Sequence, residues 1–515
     1  MLKAFKIHII SIGIFLVSLI TGLCVFEDFG IAWDDPSQQQ TGQITYDYVF
    51  RGDQTYKTYL NRDYGVAFQL PLIMLQNTLG LQDTRDIYNM RKLVTHLFFL
   101  FSAFVFYLLI YFLYKKRSLA ITGYLLLLIT PRIFAQSFFN TKDIPFMSMF
   151  ILCFFICAIA FRTNKIKHFF MFGTCTGLLM NIRVMGVLLP LMVILMFIID
   201  MIRGEEKKKT LVNFLVFMVS CIGILIISWP LLWENPVQNF MMAFSNMSKF
   251  RWIGDVLLFG NMESSTHLSW TYVPGWFGTT IPVTYLILGV TGIIFLALDF
   301  LRKPLLFLKN IKERNHLLYI AFFFGPILSV ILFHSVMYDG WRQLYFIYPP
   351  FLLLAVYGIS RLLQSKTGLK NFLSPVLGLV LFFSVLSTSA LMIRYHPFED
   401  IFFNALISRK EQHLRKTFEL DYWGISYKQA LEYIADHDTS KNIIIGVANW
   451  PGYINCMILK EENRKRIRIV DDTQPASYFI SNFRFHPKDY PYPPDQKIFT
   501  INVMNSDICS VWKLK

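Results

Sequence analysis

Two adjacent carboxylates, Asp34 and Asp35, follow the first long apolar segment of this 515-residue chain, behind a tryptophan and ahead of Pro36. Proline is acceptable in the first turn of a helix, because its missing N–H would have no partner there anyway. The pair is therefore predicted to lie at the start of a helix that continues through Gln38–Tyr48. Two carboxylates held together can serve as a general base, a metal ligand or a cation site. A short acidic run is also typical of a solvated turn.

Three further polar clusters carry residue types that would complement such a pair, and each lies at a junction between two apolar segments. In chain order they are Asn140-Thr141-Lys142-Asp143, the single Arg183, and Tyr338-Asp339-Gly340-Trp341-Arg342. Each cluster alone is a weak signal. A Lys-Asp or Asp-Gly pair between apolar segments is commonly a turn, and an arginine near a helix end commonly extends to the lipid headgroups.

The composition excludes a soluble protein. Hydrophobic residues make up 54% of the chain, charged residues 16%, and the mean hydropathy is +0.45. Many apolar runs reach the roughly 20 residues that a helix needs to cross a bilayer. The sequence predicts an all-α polytopic membrane protein with about eleven spans, at 7–26, 92–114, 118–137, 145–161, 168–182, 184–202, 211–231, 281–301, 317–335, 343–360 and 372–393.

The basic residues indicate the orientation of these spans. The net charge is +15, and lysine and arginine collect in alternate short loops such as Lys115–Arg117 and Lys207–Lys209. They report topology, and no nucleic-acid partner is expected. With about eleven spans all of these loops lie on one side, which the positive-inside rule assigns to the cytoplasm. The four polar clusters, the first loop (27–91) and the region after the last span then lie outside. We expect an inner (plasma) membrane protein with a transmembrane catalytic domain, 1–395, and an extracytoplasmic region, 396–515.

Two soluble parts of the chain carry recognisable patterns. Within the first loop, residues 64–81 are apolar but too short to span, which predicts a helix at the membrane interface. From about Asp421 the composition is that of a soluble domain. Ser426–Ala435 has helical spacing, and residues 505–507 predict a hairpin turn. Strands are predicted at 442–447, 467–470, 477–485, 497–503 and 508–514. This is a small extracytoplasmic α/β domain, in which Cys456 and Cys509 could pair.

Carboxylates and guanidinium groups gathered at one bilayer surface suit a phosphorylated lipid headgroup bound beside a base. On these residues the chain resembles the GT-C superfamily of membrane glycosyltransferases, in its protein O-mannosyltransferase and aminoarabinose-transferase branch. Members carry an acidic pair in the first external loop and another acidic residue in the next one. Asp34-Asp35 and Asp143 stand in these places, with Asp-Asp replacing the usual Asp-Glu. The resemblance covers about residues 1–395.

The resemblance implies an inverting transferase that uses a sugar linked through phosphate to a polyprenol and an extracytoplasmic lipid, glycan or protein as acceptor. Asp34 is expected to take the acceptor proton and Asp35 to support it. Asp143 would orient the acceptor or hold a divalent cation, and the metal dependence is left open. The remaining expected contacts are Arg183, Arg342 and Lys142 on the donor phosphate, and Asn140, Tyr338 and Asp339 on substrate.

Two other functions fit part of the pattern. A transporter or flippase of lipid-linked sugars would use the carboxylates to carry protons or bind cations, but it would place ionisable residues at mid-membrane depth. A lipid phosphatase would need a nucleophilic histidine beside arginines. His267 and His334 are the external histidines near the membrane, and neither has a suitable local pattern. The sequence does not identify the sugar, the polyprenol or the acceptor.

Overall fold

Long helices form most of the molecule. The computed structural model describes residues 2–203, 206–248, 252–364, 369–471 and 474–514. The helices of the bundle are Leu2–Val25, Thr84–Tyr114, Arg117–Leu128, Pro131–Phe139, Asp143–Thr163, Ile166–Ile182, Leu188–Arg203, Lys207–Ser228, Val283–Arg302, Ile311–Leu332, Tyr348–Leu362 and Leu369–Tyr395. They occupy the eleven predicted places, because two of them share the place predicted at 118–137.

Within the described residues, nine helices are long and apolar enough to cross a membrane. A tenth candidate is the pair Arg117–Leu128 and Pro131–Phe139, which together are long and apolar enough but are bent by 62°. The break follows from Pro131, which donates no hydrogen bond and forces Thr130 into an extended conformation. Ile166–Ile182 has 17 residues and occupies the eleventh place. The predicted polytopic all-α membrane fold is confirmed.

Glycine lets two of these helices pack closely. A Cβ atom on Gly173 would lie 2.3 Å from the carbonyl oxygen of Phe217, and one on Gly177 would lie 2.5 Å from that of Cys221. Helices 166–182 and 207–228 therefore approach with their backbones nearly touching, as small residues four apart allow in membrane helices.

Shorter elements gather at one end of the bundle, which we call the loop side; it carries residues 26–83 and the chain after Tyr395. The α-helices here are Asp35–Arg51, Gln69–Thr78, Pro236–Ser248, Tyr272–Thr280 and His413–Thr417, and Pro304–Lys309 lies at the opposite end. The 3-10 turns are Gln54–Lys57, Val184–Val187, Pro230–Trp233, Arg342–Ile347, Glu399–Ile401 and Pro494–Gln496. A hairpin joins strands β1 (Asp255–Leu258) and β2 (Asn261–Ser264). The predicted stretch 64–81 contains the ten-residue helix Gln69–Thr78, and its location at the membrane interface stays a prediction.

The C-terminal domain, residues 421–514, is built on a five-stranded sheet. Its strands are β3 (Ile443–Val447), β4 (Ile467–Asp471), β5 (Tyr478–Ser481), β6 (Lys497–Val503) and β7 (Ser506–Lys513), in the order β4-β3-β5-β7-β6. β3 pairs in parallel with β4 and β5, whereas β7 is antiparallel to β5 and β6. The remaining helices are Tyr427–His437, Pro451–Cys456 and Glu461–Arg464.

The predicted details of this domain are mostly confirmed. The turn predicted at residues 505–507 is found at Met504 and Asn505, which both have positive φ, as a two-residue turn requires. Ser506 and Asp507 already belong to β7. Ser426 precedes the predicted helix, but its hydroxyl donates to Asp421 and does not cap the helix. Cys456 and Cys509 are free thiols.

Candidate active site

A cavity of about 250 Å³ opens on the loop side, between the helical bundle and the C-terminal domain. Its charged lining residues are Asp34, Asp63, Lys142, Arg183, Asp339, Arg342 and Arg484. Aromatic rings form much of the remaining wall, from Trp33, Tyr64, Trp252, Tyr338 and Phe485. Side chains from all four predicted polar clusters are therefore brought together, although the chain positions span more than 300 residues.

Asp34 is the residue that precedes helix Asp35–Arg51. Its backbone carbonyl accepts the N–H of Gln38 at 3.1 Å, while its side chain caps nothing and reaches the cavity. The side chain is 39% exposed. Its Oδ2 accepts Nη2 of Arg342 at 3.1 Å, and no described residue donates to Oδ1. One carboxylate oxygen is thus oriented by a cation and the other is available to a ligand.

Asp35 lies behind the cavity wall, with only 2% of its side chain exposed. Arg91 donates to its Oδ1 from Nε at 3.1 Å and from Nη2 at 2.7 Å, and Thr141 Oγ1 donates at 3.2 Å. Arg91 Nη2 also donates to Gln69 at 2.8 Å. This buried ion pair joins the first loop to helix Thr84–Tyr114 and to the junction at residues 140–142, which keeps Asp35 away from any ligand.

Asp143 also lies behind the wall, 1% exposed. It forms ion pairs with Arg183 and with Nη1 of Arg342, the latter at 3.2 Å. Asn140 donates to its Oδ2 at 3.1 Å and accepts its backbone N–H at 2.8 Å. Asn140 is itself buried and does not line the cavity. In this structure Asp143 contacts two guanidinium groups that line the cavity, and Asn140 holds Asp143 in place.

Arg342 connects these parts. Besides Asp34 and Asp143, it donates from Nη2 to Asp339 at 2.9 Å. Its guanidinium lies 5.0 Å from the ring centre of Tyr338 and 4.4 Å from that of Trp423. Three carboxylates around one planar fork fix its orientation, because each takes a donor from the rigid guanidinium.

Lys142 differs from the arginines, because no described carboxylate contacts it. Its Nζ lies 3.6 Å from the ring centre of Tyr64. Burial, then the nearby charge of Arg183, hold the pKa of Lys142 well below its ordinary value. Burial and the charge of Arg342 lower the pKa of Arg183 to about 10. An anion entering the cavity would reverse these effects, because an opposite charge nearby favours the charged form of lysine.

The C-terminal domain closes one side of the cavity, which the sequence did not predict. Arg484, three residues after β5, donates from Nη2 to Asp339 at 2.7 Å and stacks 4.4 Å from the ring centre of Trp33. Glu419 lies near Arg484. Its burial raises the pKa of Glu419 to about 8, although the charge of Arg484 acts in the opposite direction. No local pattern distinguishes Arg484 in the sequence. Arg91 does carry a local signal in the sequence, because a charged residue at the start of a long apolar span needs a partner.

The described residues contain no group of three or more histidine, cysteine, aspartate or glutamate side chains that could hold a metal. The carboxylates at the cavity are instead matched by guanidinium groups.

One protein family matches part of the chain. The family described as dolichyl-phosphate-mannose-protein mannosyltransferase matches residues 87–233. No curated protein sequence matches the chain significantly. The family match at residues 87–233 lies in the membrane part of the chain, and it confirms the predicted resemblance to GT-C membrane glycosyltransferases.

Two solved structures illustrate the likeness in fold. ArnT from Cupriavidus metallidurans bound to undecaprenyl phosphate is 13% identical, with 99% of this chain and 98% of that chain covered and a TM-score of 0.48. The Archaeoglobus fulgidus oligosaccharyltransferase in the apo form is 11% identical, with 90% of this chain covered and a TM-score of 0.45. The chain spans 65% of the length of that oligosaccharyltransferase.

Proposed function

We propose that this protein is an inverting membrane glycosyltransferase that moves a sugar from a polyprenyl-phosphate carrier to an extracytoplasmic acceptor, with Asp34 as general base. One observation carries the proposal. Asp34 presents a carboxylate oxygen to a cavity that is also lined by Lys142, Arg183 and Arg342. A base and several cations thus meet in one space, as transfer from a phosphate-linked donor requires.

The reaction balances with these groups. The acceptor oxygen or nitrogen attacks the anomeric carbon, and the bond between that carbon and the phosphate oxygen breaks. The acceptor proton goes to Asp34, and the bonding electron pair leaves with the polyprenyl phosphate. A phosphate leaves without protonation, so a second acid of the kind that glycosidases use is unnecessary. The inversion follows from a single attack opposite the leaving group.

The charge that develops on the leaving phosphate is met by the cations of the cavity. Lys142 has no carboxylate partner among the described residues, so it is the cation with most freedom to meet the phosphate. Arg183 and Arg342 are oriented by Asp143 from behind. Preorganised cations stabilise a developing charge without having to move during the reaction.

The name of the matching family and the lipid in ArnT support a polyprenyl-phosphate donor. The acceptor is a lipid, glycan or protein hydroxyl or amine, and we assign Tyr338 and Asp339 to the substrate-facing wall. We place residues 27–91 and 394–515 outside the cytoplasm. A periplasm-active reporter fused after Asp53 or at the C-terminus should be active and one after Lys116 silent. Activity after Lys116 would reverse the orientation.

The proposed function is tested on the lipids and glycans of cells that lack this chain. Mass spectrometry should find that a polyprenyl-phosphate-linked sugar accumulates and that an extracytoplasmic molecule loses the mass of one sugar. Purified protein added to the extract should then release free polyprenyl phosphate. A flippase would also cause accumulation but would leave the sugar–phosphate bond intact. If no lipid-linked sugar accumulates and no molecule loses a sugar, the proposal is wrong.

A further inference from the structure

The segment that leads into Asp34 is held by the C-terminal domain. This lead-in segment, residues 27–33, follows the first membrane helix and lies outside regular secondary structure from Gly30 to Ala32. Because it makes no helical hydrogen bonds of its own, other parts of the chain must fix its path. Every contact described below comes from residues nearly 400 or more positions further along the sequence.

The central contact is the side chain of Asn455, which is fully buried. Its Oδ1 accepts the backbone N–H of Ile31 at 2.7 Å, and its Nδ2 donates to the carbonyl of Ile31 at 3.0 Å. Nδ2 also donates to the carbonyls of Gly424 and Pro451, at 3.1 and 2.9 Å. The amide therefore satisfies both backbone groups of Ile31 and ties them to the C-terminal domain.

The contact is close enough to require glycine beside it. A Cβ atom on Gly30 would lie 2.4 Å from the carbonyl oxygen of Ile425 and 2.5 Å from Oδ1 of Asn455. Both neighbours are buried and neither is the flexible end of a long side chain. A larger residue at position 30 would therefore displace the lead-in segment from the domain.

Further bonds hold both ends of the segment. The backbone N–H of Trp33 donates to the carbonyl of Trp423 at 3.0 Å. Gln429 donates to the carbonyl of Asp28 at 2.8 Å, and Lys428 donates to that of Glu27 at 2.9 Å. The residue directly before Asp34 is thus fixed by the C-terminal domain through its backbone.

We propose that Asn455 is a positioning residue for sugar transfer, through which the C-terminal domain fixes the location of the Asp34 carboxylate. The inference rests on the proposed function, in which Asp34 is the base. A base must lie within hydrogen-bond reach of the proton that it takes, and a misplacement of about 1 Å can cost about 10²-fold in rate. In the proposed function Lys142, Arg183 and Arg342 hold the donor phosphate, and Asn455 makes no described bond to any of them, so we expect donor binding to change less than turnover.

The test compares Asn455→Ala and Gly30→Ala with the wild-type protein. Turnover with extract from cells that lack the chain should fall by about 10- to 100-fold, while the KM for the lipid-linked donor and the binding of undecaprenyl phosphate change by a smaller factor. Hydrogen exchange of the peptide that covers residues 27–34 should rise, with the membrane helices unaffected. Asn463→Ala and Gly278→Ala are the matched controls. Among the described residues, Asn463 bonds to members of its own domain, and a Cβ on Gly278 would meet no described atom within 4 Å.

The milder variant Lys428→Met/Gln429→Ala removes three side-chain hydrogen bonds from partly buried positions to the carbonyls of Glu27 and Asp28 and should show the same changes, reduced to a few-fold. If hydrogen exchange in residues 27–34 is unchanged in these variants, the C-terminal domain does not hold the lead-in segment. Raised exchange with normal turnover would overturn its role in positioning the base. If the wild-type protein itself transfers no sugar, the proposed function fails. The exchange measurement then still decides whether the domain holds the lead-in segment.

Discussion

Asp34 and Asp35 are neighbours in the chain and belong to two different regions of the molecule. The side chain of Asp34 is 39% exposed and lines the cavity, whereas that of Asp35 is 2% exposed and bonded to Arg91. Successive residues entering a helix point about 100° apart, so the backbone separates the two carboxylates at once. We call Asp34 and the other charged side chains that line the cavity the ligand-facing layer. We call the buried side chains behind them, such as Asp35, the supporting layer.

The same division runs through the rest of the site. Lys142 reaches the cavity, while Asp143, the next residue, lies behind the wall and contacts Arg183 and Arg342. Neighbouring charged residues thus differ in whether they line the cavity, and in the Asp34-Asp35 pair this holds even for the same residue type. Burial and bonding partner, and not residue type, separate the groups that line the cavity from the groups that hold them.

The largest effect on stability is expected in the supporting layer. Asp35→Ala leaves the guanidinium of Arg91 buried without its counter-charge, which should cost about 3–5 kcal/mol in free energy of unfolding. Asp47→Ala removes the exposed pair with Arg51 and should cost about 0.3–0.5 kcal/mol. Denaturation in detergent measures both. If the two variants lose the same free energy of unfolding, the buried pair of Asp35 and Arg91 does not support the site.

A smaller effect is expected for the cations of the ligand-facing layer. Arg183→Lys and Arg342→Lys replace a planar fork by a point charge, and Lys142→Met removes the unpaired cation. Each should weaken binding of undecaprenyl phosphate by about tenfold, since a hydrogen bond to a charged group contributes about 1.5–3 kcal/mol. Isothermal titration measures this, with Lys488→Met on the exposed surface as control. If all three variants keep wild-type affinity, the phosphate binds elsewhere.

The smallest effect concerns a contact outside both layers. His396 bonds to Glu399 at 2.7 Å and to Asp28 at 2.9 Å, joining the end of the last helix to the first. Burial lowers the pKa of His396, but the bonds and charges of Glu399 and then Asp28 outweigh it and hold that pKa above its ordinary value.

A raised pKa in the folded state stabilises the protein fully below about pH 6.5, the value in the unfolded chain. The stabilisation is lost as the pH rises through the folded pKa. The Tm should therefore fall by roughly 1–3 °C more in the wild-type protein than in His396→Gln between pH 6 and pH 9. An identical pH dependence in both proteins would rule out this contribution.

The sequence predicted the features that local patterns decide. Pro36 indicated the helix start beside the acidic pair, the apolar runs indicated the spans, and the last two strands were predicted with their turn. The bend at Thr130 was not predicted, because a single apolar run covers both helices. Asn455 and Arg484 were missed as well. Their roles depend on contacts with residues about 424 and 145 positions away, which no local pattern records.

The central claim is that Asp34, and not Asp35, takes the acceptor proton. It is tested most directly by sugar transfer from purified lipid-linked donor, measured for Asp34→Asn and Asp35→Asn alongside donor binding. Asparagine nearly preserves the volume but removes the basic oxygen. We expect Asp34→Asn to lower turnover by about 10²- to 10⁴-fold while donor binding is kept. Asp35→Asn should lower turnover by a smaller factor. Normal transfer by Asp34→Asn, with Asp35→Asn inactive, would contradict the assignment.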